Sequence, residues 1–146
     1  MITKNFSKNE IACPCCGDTN IRLAIVEIAQ AIRDELGIPL YVPSGGGKRC
    51  NDYQDTIGDY ISAHQFGEAI DLYAKPFQLR TMLKIARLGK EFCALRIGLY
   101  PEYTVKSVHL DLWLPRPHES WVRVGNKYVY FKHFESAVKY VEKNYM

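Results

Sequence analysis

No stretch of the sequence approaches the ~18 uninterrupted apolar residues of a membrane span. The closest run, Ala24 to Ile32, is broken by Glu27 and Gln30, so no membrane anchor is expected. The residues from Met1 to Ala12 interleave Lys4, Asn5, Lys8, Asn9 and Glu10 with a few apolar neighbours. They lack the apolar core of a secretion signal, and synthesis in the cytoplasm is the corresponding expectation. Charge of one sign is also missing. Nineteen Lys and Arg stand against 16 Asp and Glu, net +3, scattered without the basic block or stripe of a nucleic-acid footprint. Cysteine is present five times, an odd number without a secretory context, which argues against a disulfide framework. Glycine (10) and proline (7) are too few in 146 residues for a collagen-like or low-complexity chain, and the 47% hydrophobic content excludes disorder. What remains is one ordinary globular domain over residues 1–146.

Within it, Ile21, Ile25, Ile28, Ile32 and Leu36 recur at spacings of three and four, which predicts an amphipathic helix over 19–36, capped at Asp18 or Thr19 and stopped by Gly37. Leu40 to Val42 reads as a short strand entering the flexible Ser44-Gly45-Gly46-Gly47 loop. Ala69 to Tyr73 reads as a strand, and Phe77 to Phe92 as a second helix. Beyond Gly89 the chain turns β-rich: Ala94 to Tyr100, Val105 to Trp113, Trp121 to Val124 and Tyr128 to Phe131, the last two around a Gly125-Asn126 turn. A final helix is predicted over Phe134 to Tyr145. Helices outside a run of consecutive strands argue for an α+β domain on a small antiparallel sheet.

Only four histidines occur, and two lie in segments that also carry small residues and an acid: Ser62 to Asp71, and Ser107 to Asp111. A lone histidine beside a glycine is usually a surface or hydrogen-bonded residue. Asp71 and Asp111 are odder, because an ionised carboxylate rarely sits in an apolar strand without a partner or a metal. A catalytic zinc site takes three N or O ligands and an open fourth position, and His64, Asp71 and His109 meet that requirement. Gly67 and Ala69 keep the space between the first two ligands free of bulk. Asp111, two residues after His109, falls on the same strand face.

Ser62, His64, Gly67, Ala69 and Asp71 match the pattern S-x-H-x-x-G-x-A-x-D. In this the chain resembles the zinc D-Ala-D-Ala carboxypeptidases and the related phage L-alanyl-D-glutamate endopeptidases. The Cys-Pro-Cys-Cys-Gly segment at 13–17, the G-x-Y-P at Gly98 to Pro101 and the V-H-x-D at Val108 to Asp111 follow that family's order, and the resemblance covers roughly residues 6 to 123. It implies zinc held by His64, Asp71 and His109, a small antiparallel-sheet fold shared with hedgehog signalling domains, and peptidoglycan stem peptides as substrate. A short chain without an export signal is further expected to be phage- or prophage-encoded, a monomer made in a bacterial cytoplasm that reaches the cell wall after membrane lysis or from a virion.

Two departures stand out. Where the family has S-G-Y-R, this chain reads Ser44-Gly45-Gly46-Gly47-Lys48-Arg49, so the arginine that holds a substrate carboxylate corresponds to Arg49 only with two extra loop residues. Where well-studied members place the catalytic acid, three residues before the last histidine, stands Lys106. The general base is then expected at Asp111, with Glu102 as a second candidate, and Asp111 can equally be a group that orients a zinc-bound histidine. A chain that keeps the ligands and lacks the base would be an inactive, zinc-stabilised binding module, the alternative to a peptidase.

Other features carry less. Cys13 and Cys16 form a C-x-x-C that could be half of a structural zinc site or a redox pair, but a full site needs two more ligands, and packing of small thiols is the default. His118 and His133 lie near Pro115, Arg116, Pro117 and Lys132 in expected exposed turns and are assigned no role. Tyr100, Tyr103, Trp113 and Trp121 could line a groove or simply pack the sheet. The triple glycine lacks the ending of a phosphate-binding loop.

Overall fold

The structure, a computed structural model, describes residues 1–58, 60–113 and 118–146. Pro115, Arg116 and Pro117, read above as turn residues, lie outside them. In chain order the elements are α1 (Lys8–Ile11), α2 (Leu23–Leu36), α3 (Asn51–Ile57), a 3-10 turn (Ala63–Phe66), β1 (Ala69–Leu72), α4 (Leu79–Glu91), β2 (Arg96–Leu99), β3 (Val108–Asp111), β4 (Ser120–Val124), β5 (Lys127–Phe131) and α5 (Phe134–Tyr145). The domain is therefore α+β. Among the described residues no helix is long and apolar enough to cross a membrane.

The five strands lie in the order β1-β3-β2-β4-β5. The sheet is mixed, which corrects the expected all-antiparallel arrangement: β2 and β4 pair in parallel, and the other neighbours are antiparallel. The reason lies in the connections. β3 runs back along β2 and has both of its edges occupied, by β1 and β2. The short segment after β3 starts β4 at the end where β3 finishes, so β4 runs opposite to β3 and takes the free edge of β2 in the same direction as β2. Hydrophobic runs reveal strands, but not which edge the next strand will find.

α2 packs on β1, α4 on β2 and β3, and α5 on β4 and β5, with α4 touching both other helices, so the long helices form one layer. Alternation along the strands then separates two faces. Ile70, Leu72, Ile97, Leu99, Val108 and Leu110 are fully buried in the core with Ile25, Ile32, Met82, Ile85 and Val138. At ~1.5–3 kcal/mol for each large aliphatic side chain removed from water, this face fixes the register of the sheet. The other face of the same strands carries Asp71, His109, Asp111 and Arg96.

The local readings differ at their edges. The helix expected from residue 19 begins at Leu23, because Asp18 turns back to accept the N–H of Asn20 at 2.9 Å. Leu40 to Val42 forms only a single bridge, Tyr41 to Tyr73. α1 and α3 were not expected; both are short and polar, and α1 is held by a Ser7/Glu10 capping box.

Candidate metal centre

The segment that presents His64 is built from local rules. Ser62 caps the 3-10 turn, its hydroxyl accepting the N–H of His64 at 3.3 Å, while Gln65 reaches back to the N–H of Ser62 at 2.8 Å. The turn ends at Gly67, whose φ of +67° suits glycine, and a Cβ there would sit 2.2 Å from the Asn20 carbonyl oxygen. The chain then enters β1. Its register against β3 sets Asp71 directly opposite His109 and the small Ala69 opposite Asp111. Cross-strand partners on one face lie side by side, which brings residues 38 positions apart in sequence into contact.

His64 Nε2, His109 Nδ1 and Asp71 Oδ1 converge as a triangle. His64 to His109 is 3.1 Å, His64 to Asp71 3.2 Å and His109 to Asp71 3.0 Å. The outer nitrogens fix the tautomers. His64 Nδ1 lies 2.8 Å from the Gly47 carbonyl, which can only accept, so this nitrogen carries the proton. His109 Nε2 lies 2.7 Å from Asp111 Oδ2 and donates to it. As neutral rings in these tautomers, both histidines aim lone pairs at the Asp71 oxygen and at each other. A proton can bridge one edge of this triangle, and a cation at its centre would satisfy all three corners at once. Tetrahedral zinc with bonds of about 2.0–2.1 Å needs ligand atoms about 3.3 Å apart, close to what is observed, and the N, N, O donor set suits zinc. The residues fit the ion.

The surrounding charges act differently on the three groups. Burial works to raise the Asp71 carboxyl but is outweighed by His64 and His109, which hold it well below the usual carboxylate range. Burial lowers the His64 imidazole and keeps it neutral. For His109 burial also works downward, yet hydrogen bonds to Asp111 and Asp71 raise it.

Asp111 is completely buried, and burial alone would raise it; His109 and Arg96 bring it below its ordinary value. Arg96 grips both carboxylate oxygens, with contacts of 2.8 and 3.1 Å, and Oδ1 also accepts the N–H of Trp113 at 3.0 Å. The guanidinium is in turn stacked between the rings of Trp113 and Trp121 at 5.3 and 5.2 Å. Arg96 is the residue that sequence reasoning missed. Its signal was a lone cation in an apolar strand, the counterpart of the acid that was noticed.

Arg49 lies beside the triangle. Its Nη2 is 3.6 Å from Asp71 Oδ2, and its Nε donates to the Gly45 carbonyl at 2.6 Å. Glu102, the second candidate base, and Lys106, which stands where the family places its acid, have partners elsewhere. Glu102 is tied through one oxygen to the N–H of Gly125 and through the other to the Tyr145 hydroxyl, and Lys106 donates to the Tyr103 carbonyl at 3.1 Å. Over the triangle opens a pocket of about 680 Å³. Its lining includes Arg49, Tyr100, Trp113, His118 and Trp121, and Asp71 is the one carboxylate among the described lining residues. His118, assigned no role from sequence, thus faces the site, its ring 5.0 Å from that of Tyr130. Tyr100 accepts from the Trp121 indole at 3.3 Å, and burial pushes its phenol well above the ordinary value, so it stays protonated. His133 caps the start of α5 and is not among the residues lining the pocket.

Neither a scan against protein-family models nor a search of curated proteins finds a match to the chain.

Proposed function

We propose that the chain is a zinc-dependent peptidase that hydrolyses peptide bonds in the stem peptides of bacterial peptidoglycan. The observation that carries this reading is the triangle of three lone-pair donors, His64, Asp71 and His109, at the floor of an open pocket. The S-x-H-x-x-G-x-A-x-D resemblance supports it and supplies the substrate class and the hedgehog-like fold type. When bound, zinc would supply an acidified water and polarise a peptide carbonyl.

The chain's own residues do the rest. Arg49 orients a free carboxylate of the substrate through its planar fork. Asp111, with all its acceptor capacity turned to Arg96, His109 and the Trp113 amide, holds His109 in the tautomer that presents Nδ1. With zinc bound, His118, the pocket's one imidazole outside the triangle among the described residues, would be the group to take a proton from the attacking water and return it to the departing amine. Trp113 and Trp121 narrow the pocket around the substrate.

Two outcomes follow for variants. Arg49→Lys keeps the charge but loses the two-pronged geometry, and kcat/KM on carboxylate-bearing peptides is expected to fall about tenfold or more with zinc content unchanged. His118→Gln is expected to lower kcat by about 10² to 10⁴ at constant zinc content; full activity in this variant removes His118 from the chemistry.

The reading is tested by counting amino groups released from purified peptidoglycan. Release by the zinc-loaded chain, abolished by a chelator and restored by zinc, is the expected result. A second reading, a zinc-stabilised module that binds wall peptides without cleaving them, is favoured by the lack of an uncommitted carboxylate among the described pocket residues. Tight binding of muropeptides with no amine release would establish it over the peptidase.

A further inference from the structure

Four of the five cysteines fall in two segments far apart in sequence, Cys13-Pro14-Cys15-Cys16-Gly17 and Cys50. By sequence the first is half a metal site, with small-thiol packing as the default. The fold brings the segments together: the sulfurs of Cys13, Cys16 and Cys50 all lie within 4.8 Å of one another, and the Cys15 thiol interacts with the Cys50 sulfur. All of these cysteines are unpaired.

The backbone around Cys13 is arranged for a sulfur anion. Gly17, at φ +77°, closes a tight turn in which its N–H donates to the Cys13 carbonyl at 2.8 Å. The N–H of Cys50 donates to the Cys13 sulfur at 3.3 Å, and the amides of Cys15 and Cys16 act on it in the same sense. Cys50 caps α3, its own sulfur accepting the N–H of Tyr53 at 3.4 Å. Several amide donors on one sulfur favour the thiolate over the thiol. Zinc–sulfur bonds of about 2.3 Å require sulfurs about 3.8 Å apart, which modest side-chain rotations supply here. A disulfide would pair two of the sulfurs and leave the amide donors facing a poor acceptor.

We propose that Cys13, Cys16 and Cys50, with Cys15 as the fourth sulfur, bind one zinc ion in a structural site separate from the His64, Asp71 and His109 centre. Coordination releases the thiol protons to solvent. The ion ties the Cys13 to Gly17 turn to the loop that ends at Cys50, and this loop supplies Arg49 to the pocket. Its Gly47 carbonyl holds His64 Nδ1, its Gly46 carbonyl accepts the N–H of Asp71 at 2.8 Å, and Arg49 adjoins Cys50 directly. On its other side the Lys48 N–H donates to the Ile11 carbonyl at 2.8 Å. A metal at the cysteines thereby positions the groups that orient His64 and a substrate carboxylate.

The test uses cobalt, because a thiolate ligand gives Co²⁺ an intense near-ultraviolet charge-transfer band that imidazole and carboxylate do not. The full chain, stripped of metal under reducing conditions and titrated with Co²⁺, is expected to develop this band and to saturate it within the two equivalents that both sites take up. It should persist in His64→Ala and weaken in Cys16→Ser, whose site is exposed, and in Cys15→Ser, each of which removes one thiolate of four. In parallel, zinc should protect the four thiols of the wild-type chain from a thiol reagent, a measurement that needs no folded variant. Absence of the band, thiols equally reactive with and without zinc, or a purified chain lighter by the hydrogens of a disulfide would overturn the proposal. An unchanged band in Cys15→Ser would overturn the assignment of the fourth sulfur.

Discussion

Replacing His64 with alanine is expected to remove zinc from the pocket and with it all peptide hydrolysis. His64 supplies one corner of the three-atom triangle, and its ring is 2% exposed, so no water ligand can replace it at the same point without reorganisation. If a binding free energy on the order of 10 kcal/mol is shared equally among three ligands, losing one costs about 3 kcal/mol, roughly a hundredfold in affinity. Dialysis against a weak chelator followed by elemental analysis would read this directly. The thiolate–cobalt band of the cysteine site serves as the control that the chain is folded. A His64→Ala protein that holds pocket zinc as tightly as the parent would remove the triangle from the account.

The second large effect is expected at Asp111, and two substitutions separate its possible roles. Asp111→Asn keeps an acceptor for His109 Nε2 but weakens the carboxylate that fixes the ring. As an orienting group, its loss should reduce zinc affinity by about 10- to 100-fold, with kcat near the parent value once excess zinc is supplied. A general base behaves in the opposite way, kcat falling by about 10² to 10⁴ with zinc affinity unchanged. Asp111→Ala goes further. It leaves Arg96, whose side chain is 12% exposed, without its partner, at a cost of about 3–5 kcal/mol, visible as a large drop in melting temperature. Zinc binding and thermal unfolding measured on both variants therefore assign the residue without reference to the reaction.

The parts of the site that could be read from the sequence are those encoded locally. Ser62, His64 and Gly67 act within one turn, and the spacing of Asp71 and Asp111 within apolar strands announced carboxylates that face something other than water. The final helix, Phe134–Tyr145, follows its own periodicity. What could not be read depends on register and on distant chain segments. The Gly47 carbonyl on His64 has no side chain to mark it. Arg96 meets Asp111 because residues 96 and 111 are cross-strand partners in β2 and β3. Cys50 completes the cysteine cluster from 37 residues beyond Cys13. The parallel pairing of β4 with β2 follows from which strand edge is left free, which hydrophobic pattern does not encode.

The central claim is that this site cuts an amide bond in a peptidoglycan stem. The most direct measurement is mass spectrometry of purified muropeptides incubated with the zinc-loaded chain, beside the same incubation with His64→Ala. The expected result is a set of products in which one stem amide has gained the elements of water, the glycan is intact and the change is absent with the variant. Muropeptides that emerge with unaltered masses, or that are cleaved equally by His64→Ala, would contradict it.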